Sequence, residues 1–261
     1  MTGNRLAELL GEFSYFLRGL SLLLFPPVCL GCSTVIDVGV CDDMFGLHLC
    51  PKCKTQVSIL EPPFCTHCST PFKSKVSVSH ICWRCEQKPP YFDRLLSPFL
   101  YEGMMGSIIE GFKYGKTGRS GRVLGNMLGN FLMTQMHIDE RMLLVPLPLH
   151  PKREKERGFN QTLILAKGVK EVVSLPFRED LVVRVKNTKS QTGLNFKERQ
   201  ENVKDAFVVT DKAQIKGRKI LLVDDVATTG STINECAKAL KRAGAKEVIA
   251  IVIARARGEV Y

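Results

Sequence analysis

Eight cysteines stand in four pairs of identical spacing, Cys29/Cys32, Cys50/Cys53, Cys65/Cys68 and Cys82/Cys85. Two intervening residues let a tight turn aim both sulfurs at one ion, and a tetrahedral zinc shell closes when two such turns meet. A stretch this short and polar cannot fold on apolar burial alone, so metal binding has to supply folding free energy, on the order of 10 kcal/mol per site. Taken in order, Cys29, Cys32, Cys50 and Cys53 form one site and Cys65, Cys68, Cys82 and Cys85 a second. A cross-braced pairing, first with third, satisfies the same spacing. Shells of four sulfurs are closed, so these zinc ions organise structure and leave no open position for catalysis. Cys41, His48, His67 and His80 lie among the pairs as alternative ligands.

A disulfide framework is the competing use of so many cysteines, and it belongs to secreted proteins. Glu8 and Glu12 spoil the basic leader of a signal peptide, and beyond residue 85 only Cys236 remains, in a helical context that reads as core packing. The expectation is a cytoplasmic protein. Its longest apolar stretch, Leu20 to Pro27, is well under the roughly 20 residues of a membrane span. It reads as the end of an N-terminal docking helix over 1–27, with a membrane-surface helix as the alternative.

Residues 28–90 then form the zinc module and 91–261 the larger domain, with separate cores. Chelation should unfold the first while the second keeps its own melt. The formal net charge of +11 belongs almost wholly to the larger domain, about +10 of it, a field that draws in phosphates, pyrophosphate or a nucleic-acid backbone.

From Tyr91 onward, apolar runs alternate with helical segments, the pattern of an α/β fold with a mostly parallel sheet. In KILLVDDVATTGST, Lys219 to Thr232, a buried strand ends in two carboxylates and a Thr/Gly/Ser loop, with a helix from Ile233 to Ala243. Such a loop presents backbone N–H groups and a positive dipole end to one point, where a phosphate fits. Asp224 and Asp225 stand at the carboxyl end of the strand, placed to accept hydrogen bonds from a vicinal diol. A receiver domain is excluded because too little chain follows Asp225, and a Walker loop because no Gly-Lys-Ser/Thr occurs here.

This segment resembles the phosphoribosyl pyrophosphate signature of type I phosphoribosyltransferases. The resemblance implies that Ala227, Thr228, Thr229, Gly230, Ser231 and Thr232 cradle the 5′-phosphate. Asp224 and Asp225 would hold the ribose hydroxyls, directly or through magnesium-bound water. Three further stretches, VPLPLHPKREKERGFNQT from Val145, RVKNTKSQTGLNFKERQENV from Arg184 and EGFKYGKTGRSG from Glu110, are similar to the ComF family, in which a double zinc ribbon precedes a phosphoribosyltransferase domain.

The Val145 stretch reads as a strand breaking at Pro146 and Pro148, a loop carrying Lys152, Arg153, Lys155 and Arg157, and a helix containing Asn160 and Gln161. Arg153 and Arg157 are ligand candidates there, since cations neutralise a departing pyrophosphate. The Arg184 stretch reads as a long polar loop between strands, with Arg184, Lys186, Lys189, Lys197 and Arg199 around Gln191 and Gly193. It resembles the superfamily's flexible catalytic loop, with Arg184, Lys186 and Arg199 as catalytic candidates, and closing it would exclude water from an oxocarbenium-like centre. Lys113, beside Tyr114 in a helical stretch, is placed to send its charge into the cleft.

The resemblance implies a base-recognition hood near the chain termini; here the last strand, Val248 to Ala254, runs into Arg255, Ala256 and Arg257 without a ring-stacking aromatic and a zinc module takes the N-terminal place, which argues against ordinary purine or pyrimidine salvage. Three functions stay open: a phosphoribosyltransferase (a glycosyltransferase) with an unidentified acceptor, a scaffold that senses phosphoribosyl pyrophosphate, and a binder of single-stranded DNA. The resemblance implies natural competence and DNA transformation, with a helicase-like ComF partner and a recombination mediator. Trp83 and few tyrosines offer little stacking surface for a strand.

Overall fold

The computed structural model describes residues 26–36, 48–72, 78–115, 118–188 and 196–258. Residues 1–25 of the expected docking helix and Cys41 lie outside these residues, as do Lys189, Gln191, Gly193 and the side chain of Lys197.

The larger domain is built on a parallel sheet. Strands β1 (Arg94–Leu96) and β2 (Phe99–Leu100) pair side by side along β7 (Glu247–Arg255), which pairs with β6 (Lys219–Ala227), and β6 pairs with β3 (Leu143–Pro146). Side chains alternate across a strand, and the two central strands use both faces. Leu221, Val223, Ile249, Ile251 and Ile253 enter one apolar cluster, while Ile220, Leu222, Val248, Ala250 and Val252 enter another. Apolar residues on both faces make β6 and β7 near-continuous apolar runs, as a sheet covered on both sides requires.

Helices α3 (Gly103–Tyr114), α4 (Gly118–Gln135) and α6 (Gln161–Val173) contribute to the first cluster, and α8 (Ser231–Arg242) to the second. The α4 and α6 backbones meet at Gly125 and Gly168, where an added Cβ at Gly125 would stand 2.4 Å from the Leu165 carbonyl oxygen. A second sheet pairs β4 (Val182–Arg184) antiparallel with β5 (Phe207–Val209), with α7 (Phe196–Val203) between them in the chain.

Four local expectations change. Strand β6 runs past the carboxylates to Ala227, because Val226 and Ala227 still pair with Ala254 and Arg255. Helix α8 starts at Ser231 and ends at Arg242, two residues early at its start and one at its end. The basic run expected as a loop is helix α5 (Pro151–Arg157): the His150 ring accepts from the Lys152 amide, Pro151 occupies the first turn, and Gly158 ends the helix at φ 86°. The stretch after Arg184 likewise contains a helix, α7, where a continuous loop was expected.

The two zinc segments repeat one another. In each, a bridge brackets the first pair (Val28 with Val35, Phe64 with Pro71), and the amide of the leading cysteine donates to a threonine carbonyl (Cys29 to Thr34 at 2.8 Å, Cys65 to Thr70 at 2.9 Å). Ser33 and Ser69 both take the left-handed conformation, at φ 60° and 54°. The second pair of each segment opens a short helix, α1 (Pro51–Lys54) or α2 (Trp83–Gln87), with Cys50 and Cys82 as N-caps. This duplication extends well past the spacing of the cysteines.

Among the described residues the first zinc segment shares a core with the larger domain, where separate cores were expected. Cys29, Ile36, Leu49 and Cys53 are buried in the same cluster as Phe99, Met105, Ile109 and Ile251. The chain between the two zinc segments also binds the larger domain's sheet, with Ile59 bridged to Phe99 and the Leu100 amide donating to the Ser58 carbonyl at 2.9 Å. A small metal module has little apolar interior of its own, so burying its inner side chains against a neighbouring helix is the available route to stability.

Candidate functional site

The eight paired cysteines form two clusters, Cys29, Cys32, Cys50, Cys53 and Cys65, Cys68, Cys82, Cys85, with the sulfurs of each within 4.8 Å of one another. Sequential pairing is thus the one the fold uses. Zn–S bonds of about 2.3 Å place tetrahedral sulfurs about 3.8 Å apart. The Cys32 to Cys50 and Cys68 to Cys82 distances are 3.7 and 3.9 Å. The amides of Cys50 and Cys82 donate to the sulfurs of Cys29 and Cys65, each at 3.3 Å, supporting thiolate charge. The donor set fits two structural zinc ions. Neither cluster recruits a histidine: His67 donates through Nε2 to the Phe92 carbonyl at 2.7 Å, and His80 stacks on Phe72.

At the carboxyl end of β6 the alternation that sorts the core also separates the two aspartates. Asp224 follows Ile220 and Leu222 onto the α8 face and is buried. Burial first, and the Asp225 charge second, push its carboxyl up to about 8. Asp225 turns to α3, where Lys113 Nζ lies 3.1 Å from its Oδ2. Burial disfavours the Lys113 charge, but Asp225 first, with Tyr101 and Asp224, outweighs it, so the ammonium is held above its ordinary value. The ring of Tyr101 lies 6.0 Å from the same ammonium.

Beyond Ala227, a small hollow is lined by Asp224, Val226, Thr228, Gly230, Ser231, Thr232 and Ile233. Gly230, at φ 78°, turns the chain into α8 without a side-chain cap, and the hydroxyls of Thr229 and Ser231 lie 2.8 Å apart. The first amides of a helix have no intrahelical acceptor, and here they border a polar hollow suited to an anion.

Of the expected cationic residues, the fold brings Arg153 and Arg184 together. Arg153 Nη2 donates to the Thr188 carbonyl at 2.9 Å and Arg184 Nη2 to its hydroxyl at 2.6 Å. Arg184 is buried, its Nε has no hydrogen-bond partner, and its charge lies over the Phe207 ring. Burial, then the Arg153 charge, lowers its pKa from the ordinary value. Arg157 instead stacks on Tyr114 at the end of α3, Lys186 reaches the Lys204 carbonyl at 3.5 Å, and Arg199 sits on α7.

Cys236 is fully buried under Asp224's face, as core packing predicts. Sequence reading missed Thr188 as the shared acceptor and Arg255 as a buried residue. The signal for Arg255 was its position directly after the apolar run of the last strand, where the sheet is still covered.

Residues 163–260 match the phosphoribosyl transferase domain family, and residues 20–86 match the double zinc ribbon domain family. The chain is 31% identical over 212 residues to Competence protein F of Haemophilus influenzae, covering 80% of this chain and 90% of that protein. It is 29% identical over 233 residues to DNA utilization protein YhgH of Escherichia coli, with 87% and 96% coverage. It is 28% identical over 204 residues to Competence protein ComFC of Bacillus subtilis, with 75% and 79% coverage. Among the described residues no helix is long and apolar enough to cross a membrane.

Proposed function

This chain belongs to the ComF family of competence proteins, a double zinc ribbon followed by a phosphoribosyltransferase domain, and from that footing we propose that its cleft binds phosphoribosyl pyrophosphate with one magnesium ion. The observation that carries this reading is the junction of β6 and α8. A carboxylate pair, held on one side by Lys113, abuts a polar hollow at a helix N-terminus. The loop from Ala227 to Thr232 would take the 5′-phosphate. Asp225 would exchange Lys113 for the ribose hydroxyls, and Arg153 and Arg184 would face the pyrophosphate.

The donor set suits magnesium, a hard cation carried in on phosphate oxygens and bound by one or two carboxylates. Asp224, its carboxyl raised to about 8, gains most from a cation that replaces its proton. When bound, the ion would neutralise charge on the diphosphate; the chain's own residues orient the ribose and exclude water.

In the cell we assign this binding to competence and DNA utilization, the roles that the relatives' names carry, in the cytoplasm and alongside a helicase-like partner and a recombination mediator. The test is calorimetric titration of zinc-loaded protein with phosphoribosyl pyrophosphate, with and without magnesium, beside Asp225→Asn. Charged hydrogen bonds are worth about 1.5–3 kcal/mol, so the variant should bind about 10- to 100-fold more weakly while remaining folded. No binding to the wild type, or equal affinity in a folded variant, would remove the site. Product formation from phosphoribosyl pyrophosphate would extend binding to transfer.

A further inference from the structure

Arg255 ends β7 as a buried guanidinium, and its four hydrogen bonds go to two different places. Nη1 donates to the carbonyls of Ala227, at 2.6 Å, and Thr228, the first two residues of the phosphate loop. Nε donates to the Cys68 carbonyl at 2.9 Å and Nη2 to the Thr70 hydroxyl at 2.7 Å, both in the second zinc knuckle. The Thr70 hydroxyl is itself 3.1 Å from the Cys68 sulfur, so one planar fork spans the distance from a metal ligand to the anion-binding turn. A parallel apolar contact supports it. His67 donates to the Phe92 carbonyl, and the Phe92 ring lies beside Gly230, 3.9 Å from where a Cβ would stand.

The first knuckle has the same local structure but Ser33 and Thr34, which correspond to Ser69 and Thr70, face solvent. Its metal therefore has no equivalent route to the loop through these positions.

We propose that Arg255 is a positioning residue that couples the second zinc site, and not the first, to ligand binding at the phosphate loop. A knuckle closed by metal holds the Cys68 carbonyl and Thr70 hydroxyl in place. With those two acceptors held, the fork fixes the Ala227 and Thr228 carbonyls and hence the direction of the amides that follow. When the knuckle opens, the buried guanidinium loses two acceptors and the turn loses its brace. The coupling is a free energy and so is reciprocal: bound ligand must tighten zinc at the second site by the factor by which that zinc tightens ligand.

The coupling rests on phosphoribosyl pyrophosphate occupying the cleft, and the experiment separates the two ideas. Zinc affinity at each site of the full chain is measured by competition with a chromophoric chelator, with and without saturating magnesium and phosphoribosyl pyrophosphate. Ligand affinity is measured by calorimetry on the same samples. Arg255→Lys removes the fork, and because it alters a buried charge, Thr70→Val and its first-knuckle counterpart Thr34→Val are run beside it.

In the wild type one of the two zinc ions should bind about tenfold more tightly with ligand. Thr70→Val should lose most of that gain and bind ligand about 3- to 10-fold more weakly, whereas Thr34→Val should match the wild type. Ligand binding that leaves both zinc affinities unchanged overturns the coupling alone, as does a Thr70→Val protein indistinguishable from Thr34→Val. A wild type that binds no ligand overturns the coupling together with the site it acts on.

Discussion

The two zinc knuckles share a backbone, a left-handed serine, a threonine beside a ligand sulfur and a helix opened by a cysteine, yet they are joined to the rest of the molecule by different forces. The first is embedded by apolar contact: Cys29 and Cys53 belong to the large cluster under α3 and α4, and Gly31 lies against Met104. The second is tied by polar bonds, from Ser69 to the Leu95 carbonyl at 2.5 Å and from Arg255 to Cys68 and Thr70. Apolar burial is non-directional and adds stability. A hydrogen-bonded fork is directional and sets geometry. Copies of one module can therefore take on separate duties, the first in holding the core and the second in aiming the loop.

The largest difference should appear on metal loss. Cys53→Ser should lower the stability of the whole chain by several kcal/mol in one merged transition, because the opened site lies inside the shared core. Cys85→Ser should cost less global stability and more ligand affinity, and differential scanning calorimetry with titration would show both. An independent melt of the larger domain in Cys53→Ser would separate the cores again.

The next effect concerns pH. The folded protein retains the Asp224 proton between its ordinary value near 3.8 and about 8. Its contribution to stability is therefore fully present below about pH 4 and lost as pH rises through about 8. The proposed magnesium-dependent ligand binding would displace that proton, so affinity should rise by up to about tenfold per pH unit as the pH approaches 8. Asp224→Asn should flatten both trends, while Thr34→Val should preserve them. A wild-type affinity that is constant between pH 6.5 and 8 would contradict the environment assigned to Asp224.

The smallest effect tests the knuckles by sign. Ser33→Gly relieves a left-handed non-glycine residue on an exposed turn and should stabilise by up to about 1 kcal/mol. Ser69→Gly relieves the same strain but leaves the Leu95 carbonyl without its buried donor, a loss of about 1–3 kcal/mol, so the net change should be destabilising. Equal effects in chemical denaturation would mean that the two turns are interchangeable.

Much of the site was legible because its chemistry is local. Asp224 to Thr232 are consecutive, and strand, turn and helix follow from an apolar run, Gly230 and the residues after it. Lys113 could be named from a helical stretch. That it meets Asp225 rather than Asp224 depends on β6 continuing past both carboxylates, which its pairing with β7 enforces. Arg153 was placed in a loop because Pro146 and Pro148 read as breakers. The cap at His150 and the left-handed Gly158 instead make a helix of it.

The order of residues alone established two four-cysteine sets, a phosphate-type turn after a buried strand and a parallel α/β scaffold, since spacing, periodicity and turn chemistry act over a few residues. It left sequential and cross-braced pairing equivalent, and it named Arg255 only as the residue that follows the last strand. Those were settled by long-range packing. The β7 register brings residue 255 beside residue 227, and the second knuckle closes over both, so that the Arg255 charge is buried where two loops supply its acceptors.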